Sequence, residues 1–187
     1  MKNQTYKTGL LLLLLISFIS CDSESNSDSP EEPATELSLS ENLVGEWILI
    51  NYYDDSYFVQ DQYGIIEQIV NEETDYGIQF TDNPKEIRTN GFLRYTREKY
   101  EIIDGEKITE PAGINFWDGD EGEGLHTGEW KIEDGILITN DVSPQEGIEY
   151  SIISSIELSG DNLKLTLDNS QFGSHLTGEI TIEYRKK

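Results

Sequence analysis

The chain has 187 residues, of which 37 are acidic and 13 basic, and its formal net charge is −24. Proteins that bind nucleic acids need lysine and arginine to neutralise phosphates, so this balance argues against nucleic acid as a partner. The same charge argues against electrostatic docking onto anionic lipid head groups.

The first twenty residues have the pattern of a targeting segment. Lys2 and Lys7 precede an apolar run over residues 9–20, which includes six leucines. A membrane-spanning helix needs roughly 20 apolar residues, so this run is too short to cross a bilayer. Basic residues, a short apolar core and small residues at its end are typical of a secretory signal. We therefore predict a lipoprotein signal peptide over residues 1–20.

Cys21, the single cysteine of the chain, stands directly after this run. Its position after Ser20 resembles the lipobox of bacterial lipoproteins, which implies cleavage before Cys21 and attachment of lipid to its thiol. Two or more acyl chains give stable attachment where one does not. We predict Cys21 as the lipid attachment site and the membrane as a partner through this N-terminal lipid. The alternative is an ordinary secretory signal with an incidental cysteine.

Residues 21–41 follow as a predicted acidic tether. Six acidic residues and no basic residue lie within residues 22–36. Such a composition cannot bury enough apolar surface to offset the entropy of ordering, so we predict disorder. An acidic tract after the lipidated cysteine is similar to the surface-export signal of Bacteroidetes lipoproteins. This implies an outer-membrane lipoprotein exposed on the cell surface. A plain solvated spacer is the alternative.

Residues 42–187 are predicted to form one all-β domain. Apolar and polar residues alternate at several places, as in residues 163–167 and 180–184. Alternation with a period of two indicates strands of an antiparallel sheet with one buried face. Asn-Gly and Asp-Gly dipeptides at positions 90, 104 and 134 favour tight hairpins. The predicted strands are 44–53, 63–70, 77–81, 86–89, 92–103, 128–133, 136–140, 149–158, 163–167 and 179–185.

Eight to ten antiparallel strands in this length suit an up-and-down β-barrel, because closure removes exposed sheet edges. An open sandwich is the alternative architecture. Residues 60–70 are compatible with a strand or a short helix. The long segment between Ile108 and Thr127 is not predicted to form a strand.

Three stretches carry a more specific resemblance. Gly45-Glu46-Trp47 places a Gly-x-Trp motif on the first strand, residues 128–138 form a later hairpin, and residues 180–185 close the chain. This layout resembles the lipocalin-like domain of Bacteroidetes lipoproteins, a relative of the lipocalins in the calycin group. The resemblance implies that Trp47 plugs the closed end of the barrel and that Arg185 lies across its ring as a cation–π partner. It also implies a small hydrophobic or amphipathic ligand at the open end.

Large side chains are the candidates for contacting that ligand. Those on one face of the strands are expected to line the barrel interior, although filling the core is the alternative role. Phe116 and Trp117 lie among glycines and acids and are also suited to closing a barrel mouth over a ligand. The predicted ligand-binding residues are Leu49, Tyr76, Ile78, Phe80, Phe116 and Trp117.

Residues 118–123 are the densest acidic cluster of the chain. Carboxylates on a glycine-rich loop suit calcium, but their spacing does not match the twelve-residue calcium loop, so we predict a solvated loop and no metal. His126 and His175 are too few for a zinc site. The sequence has no Gly-x-Ser-x-Gly nucleophile motif and no nucleotide fingerprint.

We therefore predict no catalytic residues, no cofactor and no enzymatic activity. The leading hypothesis is a lipid-anchored binding barrel. A non-enzymatic accessory or protein-interaction module of an envelope complex, with an unidentified protein partner, is the alternative. A hydrolase that uses the acidic loop ranks third.

Overall fold

A computed structural model describes residues 36–70, 74–142 and 149–187. The predicted signal peptide, the lipid attachment site Cys21 and most of the predicted tether lie outside the described residues. Those predictions therefore rest on the sequence alone.

The described chain consists of a short helix, two single-turn 3-10 helices and eleven strands. The helix is α1 (Glu36–Leu43), and the 3-10 helices are Gly119–Glu121 and Asn169–Phe172. The strands are β1 (Gly45–Phe58), β2 (Tyr63–Ile69), β3 (Gly77–Phe80), β4 (Glu86–Asn90), β5 (Phe92–Ile103), β6 (Glu106–Asp118), β7 (Gly128–Glu133), β8 (Ile136–Val142), β9 (Glu149–Ser159), β10 (Asn162–Asp168) and β11 (Leu176–Lys186).

Eight of these strands close into an antiparallel barrel. The order around it is β1, β3, β4, β7, β8, β9, β10 and β11, and β11 pairs back onto β1. Closure gives each of these strands two neighbours, which satisfies backbone groups that an open sheet would leave at its edges. The predicted all-β antiparallel barrel is confirmed.

The remaining strands, β2, β5 and β6, extend the sheet beside the barrel. One edge of β1 pairs with β11 along most of the length of β1, whereas the other edge pairs with two strands in turn, β3 and β2. Its N-terminal half, Gly45 to Ile48, pairs with β3, and its C-terminal half, Tyr53 to Phe58, pairs with β2. β5 then pairs with β2, and β6 pairs with β5. The strands therefore splay at one end of the barrel.

One segment agrees with a predicted strand, and another is a strand that was not predicted. Residues 63–69 are a strand, which resolves the ambiguity over residues 60–70. β6 was not predicted, because nearly all of its residues are exposed and no alternation of buried positions marks it. Its conformation is stabilised by pairing with β5, as in other hairpins, and Gly113 at φ 129° lies near a shift in their register. Strand pairing without burial leaves no hydrophobic period in the sequence.

The predicted tether is too long, because α1 occupies residues that were assigned to it. Leu43 at the end of α1 is fully buried. The side-chain nitrogen of Trp47 donates to the carbonyl oxygen of Leu43 at 2.7 Å. The side-chain nitrogen of Lys186 donates to the carbonyl oxygen of Asn42 at 2.9 Å. The last carbonyls of a helix have no partner within the helix, so these bonds stabilise its C-terminal end. Within the described residues, no helix is long and apolar enough to span a membrane.

Candidate functional site

The barrel has two halves that differ in packing. We call the half at Trp47 and α1 the closed half, and the half at the C-terminal end of β1 the open half. In the closed half, Trp47 is 1 % exposed and Lys186 lies over its ring, with Nζ 5.2 Å from the ring centroid.

The cation over Trp47 is Lys186, not the predicted Arg185. In the register between β1 and β11, Lys186 is directly opposite Trp47, whereas Arg185 is opposite Ile48. Successive side chains of a strand point to opposite faces, so Arg185 extends from the outer surface. The sequence identified the correct strand but placed the cation one residue away.

Four predicted ligand-binding residues are packed in the core instead of facing a cavity. Leu49, Tyr76, Ile78 and Phe80 are 1–6 % exposed and belong to one hydrophobic cluster with the other inward-facing strand residues. They point to the barrel interior as predicted. However, the interior of the closed half is filled by side chains, as is common in small barrels.

The open half contains a cavity of about 350 Å³ that is open to solvent, which we call the open-half cavity. Its position follows from the change of partner along β1, because β2 pairs with the C-terminal half of β1 and, with β5, contributes Ile65, Glu67, Tyr95 and Arg97 to the cavity wall. Apolar and charged side chains share its wall. The lining residues are Tyr52, Asp54, Ser56, Phe58, Ile65, Glu67, Tyr95, Arg97, Trp117, Leu125, Asn169, Phe172, Leu176 and Ile180.

Three rings form an aromatic wall on one side of the cavity. Trp117 lies 5.1 Å from Tyr52 and 5.8 Å from Tyr95 between ring centroids, with its plane steeply inclined to both. Edge-to-face packing of this kind holds rings in defined orientations. Of the predicted ligand-binding residues, Trp117 is the one on the cavity wall. Phe116 is 60 % exposed and stacks on Phe92 at 5.2 Å.

An ion pair between the buried Glu67 and the partly buried Arg97 stands beside this wall. Glu67 is 4 % exposed and accepts from Arg97 Nε at 2.7 Å and from the Tyr52 hydroxyl at 2.8 Å. A second guanidinium nitrogen of Arg97 lies 2.5 Å from the same carboxylate oxygen as Nε. Burial and the nearby Glu67 charge raise the pKa of Tyr52 well above its ordinary value. Tyr52 therefore remains a neutral hydrogen-bond donor at physiological pH.

A second carboxylate, Asp54, faces the cavity and has no cationic partner within residues 36–70, 74–142 and 149–187. Its Oδ1 accepts from Ser56 Oγ at 2.7 Å and Asn169 Nδ2 at 3.1 Å. Asp54 is directly opposite Glu67 in the register between β1 and β2. Burial raises the pKa of Asp54, the bonds from Ser56 and Asn169 oppose that rise, and Glu67 adds to it.

The acidic loop uses its carboxylates to bind backbone N–H groups. Asp118 accepts from the amide of Asp120 at 3.1 Å, Glu123 from that of Asp118 at 2.8 Å, and Asp120 from that of Gly91 at 2.9 Å. These bonds fix the turn that follows Trp117. In the part of the chain that the structure describes, no group of three or more His, Cys, Asp or Glu side chains is arranged to hold a metal.

The two histidines occupy different environments. His126 is buried, with Nε2 2.8 Å from Ser154 Oγ, and its Nδ1 has no hydrogen-bond partner. Burial lowers the pKa of His126 to about 4, so the ring is neutral at physiological pH. His175 is exposed and packs near Phe58.

Four residues of the cavity were not predicted as site residues from the sequence: Asp54, Glu67, Arg97 and Asn169. One signal was present in β1, where inward positions change from apolar residues to Asp54 and Ser56. A register irregularity between Leu49 and Asn51 hid this signal, because it changes which alternate residues point inward.

Comparisons with protein-family models, with curated proteins and with solved structures found no match. The geometry of the open-half cavity is therefore the basis for assigning a function.

Proposed function

We propose that this protein is a binding protein that holds one small amphipathic molecule in the open-half cavity. The observation that carries the proposal is a cavity of about 350 Å³ in which an aromatic wall meets buried charged groups. Small-molecule sites are typically concave and largely apolar, with a few polar groups that fix the orientation of the ligand. The proposal assigns binding and no catalytic step.

The cavity wall supports an amphipathic ligand more than a purely apolar one. Tyr52, Tyr95 and Trp117 offer flat apolar surface, and Ile180 and Leu176 add aliphatic surface. The polar residues Asp54, Ser56 and Asn169 line the same cavity. Burying Asp54 beneath a purely apolar molecule would remove water without replacing its hydrogen bonds, which is costly. A ligand with one polar end avoids this cost.

The sequence supports a cellular setting for this activity. We propose that lipid on Cys21 attaches the protein to the outer membrane and that the acidic segment holds the barrel away from the bilayer, toward the cell surface. The resemblance to lipocalin-like lipoproteins supports the same arrangement. Labelling with radioactive palmitate, compared between the unaltered chain and Cys21→Ala, tests the anchor, and loss of label in the variant is the expected result.

Native mass spectrometry tests the binding function. The full-length chain is purified from envelopes of a lipid-producing host and measured before and after denaturation. A discrete added mass that is not detergent and that disappears on denaturation is the expected result. An unliganded mass, unchanged after incubation with envelope extract, would contradict the proposal.

A matched pair of variants locates that ligand in the cavity. Leu176 is half-buried and lines the cavity, while the next residue, Thr177, is exposed. Leu176→Trp should fill the cavity and reduce the added mass severalfold, whereas Thr177→Trp should leave it unchanged. Equal loading of both variants would place the ligand elsewhere.

A second candidate function is protein interaction through the hairpin of β5 and β6. Ile102, Ile103, Ile108, Ile114 and Phe116 are 50–60 % exposed there. Among the described strands, β6 pairs with β5 alone, which leaves its other edge available for a further strand. Crosslinking in intact envelopes, compared between the unaltered chain and Phe116→Ser, tests this role. Identical crosslinks in both would argue against the hairpin as the contact surface.

A further inference from the structure

The charges that line the open-half cavity do not balance. Glu67 and Arg97 neutralise each other through contacts of 2.7 and 2.5 Å, and Tyr52 supplies a further donor to Glu67. Among the residues that the structure describes, Asp54 receives hydrogen bonds only from neutral donors, Ser56 and Asn169. The cavity therefore carries one uncompensated negative charge when both carboxylates are ionised.

One oxygen of Asp54 is available to a ligand. Both hydrogen bonds from the described residues end on Oδ1, so Oδ2 is left without a donor. Asp54 is only 9 % exposed, and its carboxylate lines the cavity. A carboxylate that is mostly removed from water and lacks a cationic partner is unfavourable in the empty protein, and a ligand cation would relieve this.

We infer that the open-half cavity selects an organic cation, a protonated amine that donates to Asp54 Oδ2 while its apolar body packs against Tyr52, Tyr95 and Trp117. This inference rests on the proposed binding function and specifies the chemical class of its ligand.

Other ligand classes fit the cavity less well. An anion would have to compete with Glu67 for Arg97, and it would be repelled by Asp54. A protein metal site commonly gathers several carboxylate, thiolate or imidazole ligands, and the described residues hold no group of three or more such side chains. A neutral ligand would bury Asp54 without supplying a charge to pair with it.

Three probes of similar size and different charge test the inference. They are 2-phenylethylamine, which is cationic at neutral pH, 2-phenylethanol, which is neutral, and 3-phenylpropionate, which is anionic. Isothermal titration calorimetry with the full-length chain measures their affinities. The amine should bind at least tenfold more tightly than the alcohol, because a charge-assisted hydrogen bond is stronger than a neutral one, and the acid should bind most weakly.

Isosteric substitution assigns the preference to one residue. Asp54→Asn should reduce the affinity for the amine to that for the alcohol, while leaving the affinity for the alcohol within about twofold. Asp82→Asn removes an exposed carboxylate from a turn that does not line the cavity, so it should preserve the ranking. If Asp54→Asn does not fold, the ranking of the three probes on the unaltered chain still decides the inference.

The results distinguish failure of the cationic-ligand inference from failure of the proposed binding function. Equal affinities for the three probes, or a preference for the acid, would overturn the cationic ligand and leave cavity binding intact. The same holds if a natural ligand released by denaturation carries no basic nitrogen. Failure of all three probes, together with an unliganded native mass, would overturn the proposed function itself.

Discussion

The two halves of the barrel differ in what their inward-facing side chains form, a packed core in the closed half and a cavity wall in the open half. In the closed half, Trp47, Leu49 and their neighbours fill the interior, and Lys186 covers the tryptophan ring. In the open half, the inward positions of β1 carry Asp54 and Ser56, and a cavity replaces the packed core. β1 thus contributes to the packed core at one end and to the wall of a cavity at the other. The contrast predicts large stability effects in the closed half and ligand-dependent effects in the open half.

The largest expected effect is from Trp47→Ala. Trp47 is 1 % exposed, and its Nε1 donates to the last carbonyl of α1. Removing a buried tryptophan leaves a large cavity, so the free energy of unfolding should fall by about 3–5 kcal/mol. Urea denaturation followed by circular dichroism measures the loss. A loss below about 1 kcal/mol would show that the closed half is not the main source of stability.

The pKa of His126 tests whether its buried site is free of water. Burial lowers its pKa from the ordinary 6.5 to about 4 in the folded chain. Between these values the unfolded chain binds more protons, so the stability contribution of the neutral ring is lost as the pH falls from about 6.5 to 4. The loss amounts to about 3 kcal/mol. His126→Gln should remove this part of the acid sensitivity, measured as the difference between the two urea-unfolding curves over that range. Parallel pH profiles would mean that His126 is hydrated.

The two carboxylates of the cavity should behave differently when neutralised. Glu67→Gln leaves the partly buried Arg97 without its counter-charge, so unfolding should become easier by about 2 kcal/mol. Asp54→Asn removes an uncompensated carboxylate. Because the pKa of Asp54 is raised in the folded chain, its charge opposes folding above its unfolded pKa. The variant should therefore be as stable as the unaltered chain at neutral pH, or slightly more stable. Equal losses in both variants would contradict the charge assignment.

The smallest expected effect is the difference in stability between alanine variants of two neighbouring cations on β11, Lys186 and Arg185. Lys186→Ala removes the cation over Trp47 and a hydrogen bond to α1, which should cost about 1 kcal/mol. Arg185→Ala changes an exposed side chain opposite Ile48 and should shift stability by less than about 0.5 kcal/mol. Thermal unfolding of the two variants under the same conditions compares them. A larger loss of stability in Arg185→Ala would support the predicted contact between Arg185 and Trp47.

Much of the barrel could be predicted because its strands follow local rules. Leu163, Leu165 and Leu167 alternate with polar residues, and the structure buries all three. Asp134 and Asp104 precede glycines in hairpin turns and adopt positive φ angles, as the Asp-Gly dipeptides suggested. β6 was missed because its conformation depends on pairing with β5, and pairing without burial produces no hydrophobic period.

The candidate site was predicted less well than the fold. Trp117 was identified, but Leu49 and Ile78 were assigned to a ligand surface and lie in the packed core. Their inward orientation is encoded by alternation along a strand. Whether an inward side chain meets a cavity depends on what fills the space opposite it, and that space is set by strands distant in sequence.

The sequence by itself determined the antiparallel strand content, because period-two burial and tight turns are local properties. Only the tertiary structure decided that β1 changes partner from β3 to β2 along its length and so opens one half of the barrel. It also decided that Glu67 meets Arg97 while Asp54, within the described part of the chain, receives only neutral donors. Charge pairing depends on distances across strands, and no local pattern in the chain specifies those distances.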